Sequence, residues 1–97
     1  LEELFNVPVL FHKDSTISPS SSLLPGSIVE PRAVIGCQTT IGSSTVVGAG
    51  SIVEPYCIIG DGSTLKSGTI VKSISIVEKN TVTEQGTVLY VEDKKGE

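Results

Sequence analysis

From Ile17 to Val88 one six-residue pattern runs twelve times without an insertion. The units read ISPSSS, LLPGSI, VEPRAV, IGCQTT, IGSSTV, VGAGSI, VEPYCI, IGDGST, LKSGTI, VKSISI, VEKNTV and TEQGTV. Position 1 is aliphatic in every unit but the last, where Thr83 stands. Position 5 is always small, from Ser21 and Ser27 through Ala33, Thr39 and Cys57 to Thr87. A single unit of this size has no means of burying its apolar side. The repeat therefore predicts units that stack and share one core.

Within each hexad a mostly β-branched or hydroxyl-bearing residue at position 6, the aliphatic at the next position 1 and a small or acidic residue at position 2 make a short extended run. Positions 3 and 4 carry turn chemistry, as in Pro25-Gly26, Pro31-Arg32, Asp61-Gly62 and Lys79-Asn80. Three such sides close a triangular coil of eighteen residues, each strand pairing in parallel with those above and below. The predicted fold is all-β, a single-stranded parallel β-helix of about four to five coils. A helical reading fails, because Gly and Pro recur every few residues. Inward columns then run Ile17, Ile35, Val53, Val71, Leu89; Leu23, Ile41, Ile59, Val77; and Val29, Val47, Leu65, Thr83. Each buried aliphatic contributes roughly 1.5 to 3 kcal/mol. A core this narrow has no use for large side chains, which fits the absence of Met and Trp. Thr83, the polar member, falls in the last coil, where burial is expected to be least.

The phase extends backwards through Phe11 and Val9 to Phe5, so 1–97 is read as a single β-helix domain with a lead-in or cap at 1–16, coils at 17–88 and a tail at 89–97. A net charge of −4 without any run of Lys or Arg excludes the footprint of a nucleic-acid binder. No apolar run approaches the ~20 residues of a membrane span, and no signal peptide with a basic start is present. Cys37 at position 3 and Cys57 at position 5 could pair only by breaking the repeat, so a reducing, cytoplasmic setting is expected.

An aliphatic, a small or acidic residue, two free positions and a small residue, repeated from 17 to 88, resemble the hexapeptide-repeat superfamily of left-handed parallel β-helices. Most enzymes of that superfamily move an acyl group from a thioester donor to an amine or hydroxyl, and the resemblance implies a histidine between coils as general base. His12 is the only histidine, at an outward position 2 ahead of the clean array, and reads first as solvated or capping. Such enzymes also interrupt the repeat with a loop, which is missing here. The carbonic-anhydrase branch needs three histidines, and neither cysteine has paired ligand spacing, so no metal is expected. Gly36, Gly42, Gly48 and Gly60 read as repeat elements rather than a phosphate-cradling loop, since no helix follows them.

The resemblance of Cys57 to Gly68 and Asn80 to Tyr90 to the small pointed-end subunits of dynactin implies a non-catalytic scaffold without a cofactor, within a larger assembly. The outward ladder Val34, Ile52, Ile70 and Val88 is then the expected contact for a protein partner or a homotrimer, with Tyr56 and Tyr90 as possible aromatic anchors. The alternative comes from residues 12 to 35, which resemble the entry to the β-helix of sugar O- or N-acetyltransferases. That resemblance implies acetyl-CoA as donor and His12 as candidate base; the β-helical end of a sugar nucleotidyltransferase is the related possibility.

Overall fold

A computed structural model describes residues 9–90. Thirteen two-residue strands follow one another: β1 (Leu10–Phe11), β2 (Thr16–Ile17), β3 (Ser22–Leu23), β4 (Ile28–Val29), β5 (Val34–Ile35), β6 (Thr40–Ile41), β7 (Val46–Val47), β8 (Ile52–Val53), β9 (Ile58–Ile59), β10 (Thr64–Leu65), β11 (Ile70–Val71), β12 (Ile76–Val77) and β13 (Val88–Leu89). Each strand pairs in parallel with the strand one coil away, as in Val34 with Ile52 and Ile52 with Ile70. Three sheets result, in the orders β1-β4-β7-β10, β2-β5-β8-β11-β13 and β3-β6-β9-β12. They are the sides of a parallel β-helix with hexapeptide repeats, and the predicted fold class is the observed one.

The inward columns form the core. Ile35, Ile41, Val47, Val53, Ile59, Leu65 and Val71 are all at most 1% exposed. Phe11 pairs with Val29, so the repeat's register does begin before Ile17. The more upstream marks of the phase, Phe5 and the greater part of the expected cap, lie outside the described residues, as does the tail beyond Tyr90.

Two devices close the corners. The first is a left-handed residue at position 4, found at eleven successive corners from Gly26 to Gly86 with φ between 55° and 83°. Proline just before a left-handed residue is the chemistry of a type II turn, which explains Pro25, Pro31 and Pro55. Only five of these eleven residues are glycine. Ile74, at φ 69°, is the costly exception, because a β-branched side chain crowds its own backbone there.

The second device is the small residue at position 5, which turns inward and donates to the carbonyl of position 2 in the next coil. Thr39 Oγ1 reaches Glu54 O at 3.1 Å, Thr45 Oγ1 reaches Gly60 O at 3.1 Å and Ser51 Oγ reaches Lys66 O at 3.1 Å. Cys57 Sγ takes the same place toward Lys72 O at 2.9 Å, and Ser63 Oγ toward Glu78 O at 3.0 Å. These buried donors satisfy carbonyls that the strand ladder leaves over.

The junction of the eleventh and twelfth hexads departs from the pattern. Val82 makes only an isolated bridge to Thr64, and no strand forms there. Contrary to the expectation of weak burial, Thr83 is 4% exposed. Its hydroxyl is satisfied by the Lys66 amide at 3.1 Å and by Thr69 Oγ1 at 2.9 Å, so a polar residue can close the column without a desolvation penalty.

Two substitutions test the corner devices. In dilute solution Ile74→Gly is expected to raise unfolding stability by about 1 kcal/mol by relieving the left-handed strain, read as a higher denaturant midpoint. Thr45→Val keeps the shape and removes the donor to Gly60 O, and is expected to cost about 1 to 3 kcal/mol on the same measurement.

Candidate functional site

His12, the one histidine of the sequence, lies toward the N-terminal end of the described residues. His12 follows β1 and stands at a corner, its amide held by Val29 O at 3.1 Å. Its ring Nδ1 accepts a hydrogen bond from the Asp14 amide at 3.1 Å, and Asp14 Oδ2 lies 3.8 Å from the same nitrogen. With Nδ1 occupied as an acceptor, the neutral ring carries its proton on Nε2. A proton acceptor at this position requires Nδ1 to be released from Asp14. The imidazole borders a hollow of about 430 Å³ with Lys13, Ser15 and Ser18 on its polar side and Phe11 and Leu23 on its apolar side.

A second hollow, of about 540 Å³, lies on the outer face of the sheet that holds β6 and β9. Leu24, Thr40 and Ile58 line it, with Asp61, Glu78 and Lys79 at its margin. Its floor is bare because Gly42 and Gly60 stand there. A Cβ on Gly60 would come 2.4 Å from the Lys79 backbone nitrogen, and one on Gly42 would come 2.6 Å from the Asp61 nitrogen. These glycines permit neighbouring coils to approach, in keeping with their reading as repeat elements.

The ladder of Val34, Ile52, Ile70 and Val88 is aligned by register along one sheet. Val34 and Ile52 are each 37% exposed and Val88 44%, so this face is only half open. Tyr56 and Tyr90 are exposed. More apolar surface stands free at Ile58, Ile74 and Ile76, which the sequence reading did not single out as a group. Position 4 had been read only as a turn, and the signal was there in the unusual isoleucine at that position.

Both cysteines are free. Cys57 is buried, and burial pushes its thiol upward, so it serves as a donor to Lys72 O rather than as a nucleophile. Among the described residues no cluster of His, Cys, Asp or Glu could hold a metal ion, and no helix is long and apolar enough to cross a membrane. Between neighbouring rungs, Glu54 and Lys72 form an ion pair at 3.5 Å. Glu54 also accepts from the Ser73 amide at 3.0 Å. That amide, above the Lys72 charge and against the cost of desolvation, holds the Glu54 carboxyl below the usual glutamate range.

A family model described as bacterial transferase hexapeptide (six repeats) matches residues 38–73. The chain is a hexapeptide-repeat β-helix. Solved structures share its fold. One is the GDP-perosamine N-acetyltransferase of Caulobacter crescentus, a histidine-to-alanine variant in complex with CoA and GDP-perosamine, at TM-score 0.63 and 20% identity, covering 89% of this chain and 51% of that one. The acetyltransferase domain of PglB from Neisseria gonorrhoeae FA1090 aligns at TM-score 0.60 and 20% identity, covering 91% and 53%. Serine acetyltransferase isoform 3 of Entamoeba histolytica, in complex with cysteine, aligns at 0.54 and 15%, covering 99% and 39%. This hexapeptide-repeat chain thus spans about half the length of those proteins or less. A comparison with curated protein sequences returns no match.

These neighbours overturn the expectation of a non-catalytic scaffold of the dynactin pointed-end kind: the three solved structures named above are acetyltransferases. The scaffold reading rested on an unbroken repeat and a single exposed histidine. Both describe a stretch that corresponds to only part of each transferase, so neither separates a scaffold from an enzyme.

The Glu54 environment gives a test of the rung contacts. Its folded pKa lies below its unfolded one, so its contribution is complete above the unfolded value of about 4.3 and is lost as pH falls through the folded value. Wild type is therefore expected to exceed Glu54→Gln in stability at pH 7, with the difference vanishing in acid, as measured by denaturant unfolding across pH.

Proposed function

We propose that this β-helix is part of an acetyl-CoA-dependent acyltransferase that acetylates an amine or hydroxyl of a small acceptor such as a sugar. The observation that carries the reading is the shared fold with a perosamine N-acetyltransferase solved with CoA and its nucleotide-sugar substrate, at TM-score 0.63. That the solved form of that protein replaces a histidine by alanine draws further attention to the one histidine here.

The residues beside His12 suit such chemistry. Phe11, Ile17 and Leu23 offer apolar contact, Lys13 a cation for a phosphate-bearing donor, and Ser15 and Ser18 hydroxyls for orientation. Acetyl-CoA supplies an activated thioester whose acetyl group an amine or hydroxyl can take. The acceptor must lose a proton as it attacks, and His12 supplies the one imidazole of the sequence, the side chain that most often serves as general base. For that role the Asp14 amide must give up Nδ1, whichever ring nitrogen takes the proton. Asp14 Oδ2, 3.8 Å away, then stabilises the imidazolium that forms.

The test is titration of the full chain with acetyl-CoA by calorimetry, followed by an assay of thiol release with a panel of amino and hydroxyl sugars. Binding and acceptor-dependent thiol release are expected, and His12→Ala should lower turnover by about 10² or more while leaving donor affinity within a few-fold. Absence of donor binding at millimolar concentration, together with no thiol release, would rule the reading out.

A further inference from the structure

The three sheets do not end level. Among the described residues β12 is the outermost strand of its sheet, while the neighbouring sheet runs one rung further with β13. At the step between them lies a third hollow, of about 370 Å³, with Val77 and Leu89 on its apolar side and Ser75 and Glu78 on its polar side. Ile76, which borders it, is 73% exposed.

Three polar groups at this step lack partners that their equivalents have in the rungs below. In that sheet the amides at positions 6 and 2 donate to the next coil: Thr40 N to Cys57 O at 2.9 Å, Gly42 N to Ile59 O at 2.8 Å, Ile58 N to Ser75 O at 3.0 Å and Gly60 N to Val77 O at 2.7 Å. The amides of Ile76 and Glu78, next in the same two columns, have no acceptor among the described residues. The third group is the Ser75 hydroxyl, buried without a partner in a residue only 2% exposed. At equivalent places the Thr69 amide donates to Ser51 Oγ and the Thr81 amide to Ser63 Oγ, both at 3.2 Å. A sheet edge with two spare amides and a buried hydroxyl that lacks its amide is what an added strand satisfies.

We propose that this step receives an extended segment of a partner polypeptide, laid parallel to β12 as one added strand. The register dictates what the segment carries. Its carbonyls accept from the Ile76 and Glu78 amides, and one of its own amides donates to Ser75 Oγ. A small residue lies over Ser75, a β-branched residue outward beside Ile76, and an aliphatic residue over Val77. Glu78, which is exposed, calls for a cation at the place after the aliphatic, in the way that Lys72 stands 3.5 Å from Glu54 one coil below it. Small, β-branched, aliphatic and cationic is the order that Thr69, Ile70, Val71 and Lys72 follow within the coil. Continued past Tyr90, the register of this chain assigns Asp93 and Lys95 to inward positions 5 and 1. Unpaired charges are costly at those positions, so the chain's own sequence does not match the step.

Amide NMR of the isotope-labelled full chain tests the proposal, with a terminally blocked peptide copying residues 68–73, GTIVKS, as the probe. Saturable shifts centred on the Ile76 and Glu78 amides are expected at millimolar peptide, together with slower deuterium exchange of both. A peptide with glutamate in place of its lysine should bind about threefold more weakly, and Glu78→Lys should reverse that preference. Ser75→Ala should weaken peptide binding by about fivefold without lowering the denaturant midpoint of the free chain, because its hydroxyl is unpaired until the strand arrives. No shift at millimolar peptide, shifts that avoid β12, or a charge preference unmoved by Glu78→Lys would each overturn the proposal. So would Ile76 and Glu78 amides already protected in the free chain, which would mean that the step is filled from within.

Discussion

The fold depends on the hydrogen bond that a small side chain at position 5 makes to a carbonyl fifteen residues on, in the next coil. Two-residue strands offer too few ladder bonds to hold a corner closed, and the turn carbonyls face inward where water does not reach. A hydroxyl, or in one hexad a thiol, meets that need in five successive hexads from Thr39 to Ser63. Outside that run, the buried hydroxyls of Ser27 and Ser75 have no partner. With the corners tied, the aliphatics of position 1 stack without a gap and supply the core, and the outward positions are left to carry whatever differs between rungs.

Because every rung has the same backbone, function has to come from substitution on a constant frame. Position 2 illustrates this: Gly42 and Gly60 leave a bare floor, Glu54 ties two rungs by accepting from Ser73, and His12 places an imidazole beside the hollow lined by Phe11 and Leu23. The same regularity limits what any one coil can do alone. No rung encloses a site, and the hollows described above are open to the surface or bounded by what packs against them.

Much of this was legible in the repeat. Aliphatic position 1 and small position 5 specified the inward columns, the parallel pairing and the register residue by residue, because stacking at a fixed spacing admits few alternatives. The candidate site was less legible. His12 stood out by being unique, but the hydrogen bond that commits its Nδ1 to the Asp14 amide depends on the turn that follows β1. The expectation of a scaffold failed because it took the lack of an interrupting loop as a sign of inactivity, whereas the fold is shared with acetyltransferases over about half their length.

By itself, then, the sequence determined the coil: its period, its inward residues and the placement of its turns, since these follow from which side chains can be buried at a fixed spacing. Tertiary structure alone decided which outward residues remain open. Val34 and Ile52 look as apolar in the sequence as Ile58 and Ile76, yet the first pair is markedly less exposed than the second. Exposure depends on how neighbouring rungs and corners shade a side chain, and that shading is a property of the stacked surface rather than of any hexad.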